Sequence, residues 1–257
     1  MRWIELQNAV NVRDVGGLPV GGGGWTRPGQ LVRSDNLQDL SPADVTRLVE
    51  EIGVTTVIDL RSASEVESEG PGPLRARASV RHLHLSLLPE AGAMTDVAKD
   101  ALAVNRERAI QRDPGDVAGA FYIGYLEDRP DSVVNALRAI ADAPGAALVH
   151  CAAGKDRTGV VIALTLLAVG VPREEVVADY VATGERIEQI LDRLRASPTY
   201  AGDIDNIPPH EHDPRPEIME RFLARLDDEH GGPLAWLAAH GFTEADVDHL
   251  KAKLLAG

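Results

Sequence analysis

The feature that most constrains the fold is a strand, a tight polar loop and a helix that follow one another in the second half of the chain. Residues 146–149, Ala-Ala-Leu-Val, are apolar and predict a short buried strand. Residues 150–159 then read His-Cys-Ala-Ala-Gly-Lys-Asp-Arg-Thr-Gly, and residues 158–169 are so apolar that they predict a buried helix. A strand that passes through a short loop into a helix is typical of α/β domains with a parallel sheet.

The flanking segments predict further helices and strands. Ser41, followed by Pro42 and Asp44, predicts a helix start, and Gly53 predicts its end. The β-branched run 54–58 predicts a strand buried on both faces, as parallel strands are. Other predicted elements are a strand at 80–87, mainly helical structure over 90–145 with its clearest helix at 132–143, a helix at 173–196 and a C-terminal helix that starts at Thr243 with Asp246 as capping partner.

This alternation predicts the fold class. We expect an α/β fold in which a central, mostly parallel sheet is flanked by helices on both faces. The chain length suits one large domain, residues 1–257, with an elaborated insertion. Residues 197–216 are polar and proline-rich and predict a long loop, so either this segment or 90–130 is a candidate lid. The glycines 21–24 predict a hairpin turn, because no helix start follows them as a phosphate-binding glycine loop requires.

Composition narrows the classes of partner. A formal net charge of −14 argues against nucleic acid or an anionic membrane as a generic partner. No apolar run reaches the roughly 18 residues of a membrane-spanning helix, and the first residues, Met-Arg-Trp-Ile-Glu-Leu, lack the apolar core of a secretory signal. Cys151 is the single cysteine, which excludes an internal disulfide and a cysteine metal cage and suits a reducing compartment. We therefore expect a cytoplasmic protein without metal or cofactor; the sequence does not indicate an oligomeric state.

The loop 150–159 has the residue types of a phosphate site. Successive backbone N–H groups in a tight loop at a helix N-terminus bind anions, and Gly154 lets the backbone turn inward. Arg157 supplies a planar fork for two phosphate oxygens. The same positive field favours the thiolate of Cys151, to which the Thr158 hydroxyl could donate. The alternative is that Cys151 is a buried structural cysteine, the commoner role of a lone thiol.

These residues resemble the signature loop of the protein-tyrosine-phosphatase superfamily. More narrowly, they are similar to the bacterial family typified by the secreted mycobacterial tyrosine phosphatase B. Other motifs of that family are Asn-x-Arg-Asp-x-Gly-Gly, Arg-Ser-Asp-Asn-Leu and Ile-Asp-Leu-Arg-Ser, which stand here at 11–17, 33–37 and 58–62. The resemblance extends to Asp179-Tyr180 and His240-Gly241 and so covers nearly the whole chain. It implies a cysteine-phosphatase fold with a helical insertion or lid, and a member exported without an evident signal peptide would not be unusual.

The resemblance implies a two-step mechanism that needs no metal. Cys151 attacks phosphorus and forms a phosphocysteine, Arg157 and the loop amides stabilise the oxygens, and water hydrolyses the intermediate. An acid must protonate the leaving oxygen, and the family places it at Asp156. Glu90, Asp96 and Asp59 remain alternative acids, in which case Asp156 would brace the loop by pairing with an arginine such as Arg61.

The remaining candidate residues either contact the substrate or support the loop. Lys155 is either a solvated neighbour of the helix start or a contact for a second phosphate on the substrate. The residues predicted to bind phosphate are Ala152, Ala153, Gly154, Lys155 and Thr158. Those predicted to support the loop or contact substrate are His150, Arg13, Asp14, Arg33, Asp35, Asp59 and Arg61.

The predicted function is hydrolysis of phosphotyrosine in proteins, with phosphoserine and phosphothreonine as further candidate substrates. Phosphoinositides, hydrolysed at the same site, are the alternative substrate class. A phosphate-binding module with weak catalysis is a different class of function, which the presence of Cys151, Arg157 and Thr158 disfavours. A redox or arsenate-reducing enzyme would need a second cysteine, which the sequence lacks.

Overall fold

The computed structural model describes residues 2–89, 101–205, 208 and 211–256. Strands and helices alternate along it, as an α/β fold requires. The strands are β1 (Arg2–Trp3), β2 (Arg13–Asp14), β3 (Trp25–Thr26), β4 (Leu31–Ser34), β5 (Val54–Asp59), β6 (Arg81–His84), β7 (Ala146–His150) and β8 (Leu255–Ala256).

The helices account for most of the remaining described residues. A π-helical segment (Arg47–Glu51) continues the first helix, and 3₁₀ turns occupy Pro73–Ala76 and Thr183–Arg186. The α-helices are α1 (Pro42–Thr46), α2 (Ala63–Glu69), α3 (Ala101–Arg112), α4 (Val117–Asp128), α5 (Pro130–Asp142), α6 (Asp156–Ala168), α7 (Arg173–Ala182), α8 (Ile187–Ala196), α9 (Ala201–Asp205), α10 (Pro216–His230), α11 (Pro233–Ala239) and α12 (Glu244–Leu254).

The central sheet is mostly parallel, as predicted. Its order is β1-β2-β4-β7-β5-β6, and β4, β7, β5 and β6 run parallel, whereas β1 and β2 join antiparallel at one edge. The register places Ser34 of β4 and Asp59 of β5 on either side of His150 of β7. The residues that follow these strands therefore meet at one edge of the sheet, where sites form in parallel α/β folds.

Helices cover both faces of this sheet. Leu31, Ile58 and Val149 belong to the larger core, which also contains side chains of α4 to α7 and α10 to α12. Their strand neighbours Val32 and Val57 belong to a second core, which α1 and the π-helical segment cover. This alternation of side chains between two buried faces explains why the central strands read as continuous apolar runs.

Local turn and capping signals are confirmed. Ser41 and Asp44 form a capping box at α1, and Thr243 and Asp246 form another at α12. The backbone amide of Val20 donates to the Gly24 carbonyl, so the glycine run 21–24 forms the predicted hairpin turn. Helical structure at 101–142 confirms the prediction there, while its start at 90–100 lies outside the described residues.

Three element predictions were wrong in extent. The segment 173–196 is not one helix, because a 3₁₀ turn at Thr183–Arg186, which contains the poor helix former Gly184, separates α7 from α8. The segment 197–216 contains α9 rather than only loop, and the strand predicted at 80–87 is limited to β6 at the sheet edge. Helices α10 and α11 were not predicted, although each begins with a proline at its first positions. No helix in the described part of the chain has the length and apolar character needed to cross a membrane.

Candidate active site

The predicted phosphate loop connects β7 to α6. Gly154 lies in this loop at φ +67°, and a Cβ built there would lie 2.4 Å from the carbonyl oxygen of Ser34. Only glycine satisfies both the backbone conformation and the close approach of β4. The helix begins at Asp156, so the amides of the loop and of the first helical turn surround one end of α6, as an anion site requires.

Cys151 occupies the first position of this loop, directly after β7. It is the free cysteine of the chain and is only 2% exposed. Its thiolate and Arg157 lie close enough to interact electrostatically. Burial opposes the charge on Arg157, but Glu65 and the Cys151 thiolate raise the pKa of the guanidinium well above its ordinary value. Cys151 and Arg157, which the sequence predicts to act together, are therefore neighbours in the fold.

Arg157 is clamped by a buried carboxylate that sequence reasoning missed. Its NH1 and NH2 lie 2.6 and 2.9 Å from the two carboxylate oxygens of Glu65. Glu65 also closes a capping box with Ser62 at the start of α2. The Ser-Ala-Ser-Glu pattern signals that helix start, but nothing in it signals that the carboxylate also holds an arginine 92 positions away.

A second buried network holds the carbonyls of the loop. NH2 of Arg33 donates to the Gly154 carbonyl over 2.7 Å, and its NH1 is paired with Asp179. Nε of Arg13 lies 2.9 Å from the other oxygen of Asp179. Burial raises the pKa of Asp179, yet the two arginines together hold it below its ordinary value. Arg13 and Arg33 thus support the loop.

Asn11 and Asp35 extend this support from the N-terminal segment. The Asn11 side-chain amide donates to the Ala153 carbonyl over 2.9 Å. Asp35 accepts the backbone amides of Val10 and Asn11, each over 3.1 Å. Asp35 therefore shapes the segment that reaches the loop. The predicted partner Asp14 does not, because its carboxylate binds the amides of residues 16 and 29 instead.

Asp59, Arg61 and His150 form a separate cluster at the ends of β5 and β7. Nε and NH2 of Arg61 lie 2.9 and 2.5 Å from the Asp59 carboxylate, and Nε2 of His150 lies 3.6 Å from it. Burial raises the pKa of Asp59, but His150 and Arg61 bring it well below the ordinary value. Burial lowers the pKa of His150 to about 4. His150 also contacts the Cys151 carbonyl through Nδ1, so this cluster braces the loop.

Comparison with known proteins now assigns the family. The model of the tyrosine phosphatase family matches residues 4–256. The chain belongs to this family. It is therefore an enzyme of the hydrolase class.

Curated relatives match over most of their length. The triple specificity protein phosphatase PtpB of Mycobacterium tuberculosis is 28% identical over 283 residues, covering 98% of each chain. A putative tyrosine-protein phosphatase of Cupriavidus necator is 29% identical, covering 99% of this chain and 89% of the relative. A tyrosine-protein phosphatase of Nostoc commune is 29% identical, covering 87% of this chain and 74% of the relative.

Among the candidate acids of this phosphatase, Asp156 has the most suitable surroundings. Its side chain is 37% exposed beside the loop, so a substrate can reach it. Its Oδ1 accepts a hydrogen bond of 2.6 Å from Tyr122, and it does not pair with Arg61 as the alternative interpretation supposed. Asp59 is bound on both oxygens and stays ionised. Glu90 and Asp96 lie outside the described residues.

All the tyrosines of the chain are buried, and they surround the phosphatase loop. Burial raises the pKa of each, and the charges of Asp156 or Glu65 are the next causes in every case. These tyrosines are Tyr122, Tyr125, Tyr180 and Tyr200. Aromatic residues make up only 4% of the sequence, yet these four lie around one loop. Of the four, only Tyr180 belongs to a family motif, and no other sequence pattern predicts that they lie together.

Helices α8 and α9 cover the loop. Ile190, Leu194 and Tyr200 form one apolar cluster with Ala152. The ammonium of Lys155 donates to the backbone carbonyl of residue 212 over 2.8 Å. Of the two candidate lid segments, 197–216 thus contacts the loop directly, together with α8, while the segment 90–130 reaches Asp156 through Tyr122.

Two hydroxyl groups beside the loop are buried without a partner. Thr158 Oγ1 and the Tyr200 hydroxyl form no hydrogen bond with any residue that the structure describes. The predicted hydrogen bond from Thr158 to the sulfur is therefore not formed in this structure. A buried hydroxyl is costly to leave unpaired, so both retain the capacity to bind a ligand beside the loop.

Proposed function

We propose that the protein is a metal-independent phosphomonoester hydrolase that acts on phosphotyrosine in proteins through a phosphocysteine intermediate. The observation that carries the proposal is the placement of buried Cys151 at the start of an anion-binding loop whose arginine is held by Glu65. A guanidinium has five N–H donors, so the two that bind Glu65 leave three for phosphate oxygens. The family match over residues 4–256 supports a single phosphatase domain.

The reaction divides into two steps. In the first, the Cys151 thiolate attacks phosphorus, the phosphorus–oxygen bond to the substrate breaks, and Asp156 gives its proton to the leaving oxygen. In the second, Asp156 accepts a proton from water as that water attacks the phosphocysteine. The phosphorus–sulfur bond breaks, the thiolate is restored and inorganic phosphate leaves. Arg157 and the loop amides stabilise the equatorial oxygens in both steps.

Asp156 is the proposed acid because its side chain reaches solvent beside the loop while its backbone is fixed at the first position of α6. Asp59 does not suit the role, since Arg61 binds both of its oxygens and keeps it ionised. We also propose that the enzyme works in a reducing compartment, such as the cytoplasm, because its nucleophile is its only thiol.

The test of the nucleophile is hydrolysis of para-nitrophenyl phosphate in the presence of a chelator. Wild-type protein should keep its activity when EDTA is added, and Cys151→Ser should lose at least about 10³-fold in kcat. Residual activity of Cys151→Ser within a few-fold of wild type, or loss of wild-type activity with EDTA, would overturn the proposal. A protein that binds phosphotyrosine peptide but shows no turnover would support the phosphate-binding module instead.

Protein and lipid substrates are separated by a direct comparison. Phosphotyrosine peptide should be the better substrate by kcat/KM, because a net charge of −14 disfavours binding to an anionic membrane surface. The name of the mycobacterial relative, a triple specificity protein phosphatase, supports activity on phosphoserine and phosphothreonine as well. Lys155 tests the lipid alternative, since Lys155→Met should lower kcat/KM more for a phosphoinositide with a second phosphate than for the peptide.

A further inference from the structure

A line of hydrogen bonds between buried side chains ends on Asp156. The Tyr122 hydroxyl donates to Oδ1 of Asp156 over 2.6 Å, and the Tyr180 hydroxyl lies 2.9 Å from the Tyr122 hydroxyl. Because Tyr122 has one hydroxyl proton and gives it to the carboxyl group, Tyr180 must be the donor to Tyr122. The donors therefore all point towards Asp156.

The two oxygens of Asp156 have different surroundings. Tyr122 binds Oδ1, and the Lys155 ammonium lies 3.7 Å from the same atom. Among the residues that the structure describes, no hydrogen bond reaches Oδ2 of Asp156. One oxygen is thus anchored, and the other is free to carry a transferable proton.

Tyr122 is itself held rigidly. It is 1% exposed, and its ring makes edge-to-face contacts with Tyr180 and Phe222 at centroid distances of 6.3 and 5.7 Å. The ring of Tyr125 packs nearly parallel to it at 6.1 Å. Aromatic neighbours on these sides fix the ring and its hydroxyl, which is the support that a catalytic group needs to be preorganised.

We propose that Tyr122 is the positioning residue of the general acid. Its hydroxyl holds Oδ1 of Asp156 so that a proton on Oδ2 faces the leaving oxygen of the substrate. The inference rests on the proposed function, in which Asp156 is the acid. The proton passes from Oδ2 to the leaving oxygen, and Tyr122 keeps its own proton, because burial and the charge of Asp156 raise its pKa well above the ordinary value. Tyr180 in turn orients the Tyr122 hydroxyl.

The test compares two substrates in one preparation of Tyr122→Phe. With phenyl phosphate, whose leaving group must be protonated, kcat/KM should fall about tenfold, the effect of losing one hydrogen bond to a charged group. With 2,4-dinitrophenyl phosphate, whose leaving group needs no proton, kcat/KM should stay within about twofold. The constant kcat/KM is compared because it reports the steps up to formation of the phosphocysteine and not its later hydrolysis, in which Asp156 is the base. The ratio of the two kcat/KM values does not depend on the folded fraction, so a destabilised variant still gives an answer.

Asp156→Asn and the double variant identify the path of the effect. Asp156→Asn should lose more of its kcat/KM with phenyl phosphate than Tyr122→Phe does, and adding Tyr122→Phe to it should cause no further loss. A further tenfold loss in the double variant would show that Tyr122 acts elsewhere and would overturn the inference. Tyr180→Phe leaves the Tyr122–Asp156 bond in place, so its loss should be about two- to threefold and again confined to phenyl phosphate.

The possible failures are distinguishable. If Asp156→Asn loses kcat/KM equally with both substrates, Asp156 is not the acid, and the positioning role falls with it while the assignment of Cys151 stands on its own test. If Asp156→Asn depends on the leaving group but Tyr122→Phe affects both substrates equally, the positioning role alone is overturned.

Discussion

The two sides of the phosphatase loop are held by different kinds of contact. On the sheet side lie buried ion pairs: Arg157 with Glu65, Arg13 and Arg33 with Asp179, and Arg61 with Asp59. On the other side the cover, α8 and α9, rests on Ala152 mainly through apolar side chains, although Arg193 of α8 also pairs with Asp35. Ion pairs and their hydrogen bonds fix direction, whereas apolar contacts exclude water without fixing an angle.

This difference indicates that the ion pairs determine the geometry of the loop and that the cover determines access to it. Removing one partner of a buried ion pair leaves an uncompensated charge, at a cost of about 3–5 kcal/mol. Truncating an apolar side chain in the cover loses contact area but leaves every charge on the sheet side paired. Substitutions on the sheet side should therefore lower catalysis with a small substrate, and substitutions of the apolar side chains in the cover should not.

The largest effect is expected for Glu65→Gln. Arg157 would lose its charged partner and shift, which should lower kcat about 10²-fold and the free energy of unfolding by about 3–5 kcal/mol. Para-nitrophenyl phosphate kinetics and denaturant unfolding measure the two effects. Glu67→Gln is the matched control, because Glu67 lies exposed on the same helix, and it should match wild type. A kcat unchanged in Glu65→Gln would show that the clamp is not needed.

Asp179→Asn should have the next largest effect. Arg13 and Arg33 would share a neutral partner, so the free energy of unfolding should fall by about 3 kcal/mol. The loss in kcat should be smaller, about tenfold, because Asp179 reaches the loop only through the hydrogen bond from Arg33 to the Gly154 carbonyl. The exposed Glu174 on the same helix provides the control, Glu174→Gln. If kcat fell more for Asp179→Asn than for Glu65→Gln, the order of importance on the sheet side would be reversed.

His150 should make stability depend on pH. The unfolded chain binds a proton at His150 below pH 6.5, whereas the folded protein does so only near pH 4. Stability should therefore fall as the pH is lowered through this window, by up to about 3 kcal/mol. His150→Gln should flatten the dependence, measured by urea unfolding at several pH values.

His82 serves as the control for this experiment. Burial also lowers the pKa of His82, but its ring is only half buried, so His82→Gln should flatten the dependence less. An equal dependence in wild type and His150→Gln would mean that His150 is not held neutral beside the loop.

The smallest effect on catalysis is expected in the cover. Ile190→Ala should lower the free energy of unfolding by about 2 kcal/mol, since it opens a small apolar cluster. Its kcat with para-nitrophenyl phosphate should stay within about threefold of wild type, because the ion pairs remain. The exposed Gln189→Ala is the control. A loss in Ile190→Ala as large as that of Glu65→Gln would remove the distinction between the two sides.

The sequence predicted what depends on neighbouring residues. The strand, loop and helix around Cys151, the capping boxes at Ser41 and Thr243 and the buried strand at 54–58 all follow from local patterns, and the structure has them. The parallel sheet followed as well, because strands that alternate with helices leave few other arrangements.

What the sequence could not predict are pairings over long separations. Glu65 and Arg157 are 92 positions apart, and Tyr122 and Asp156 are 34 apart, so no periodic pattern joins them. The break between α7 and α8 was missed because Thr183 is held by Arg13, a contact 170 positions away that adds to the weak helix propensity of Gly184. Asp14 has the carboxylate expected of a loop support, but β2 places it beside the backbone amides of residues 16 and 29 and not beside the loop.

Capture of the covalent intermediate would identify the nucleophile chemically and not through a rate. 2,4-Dinitrophenyl phosphate labelled with ³²P is mixed with Asp156→Asn, which forms the intermediate without an acid but lacks the base for its hydrolysis, and the reaction is quenched within milliseconds. We expect labelled protein, with the label on Cys151 in a peptide identified by mass spectrometry. Release of phosphate without labelled protein, or a label on any other residue, would contradict it.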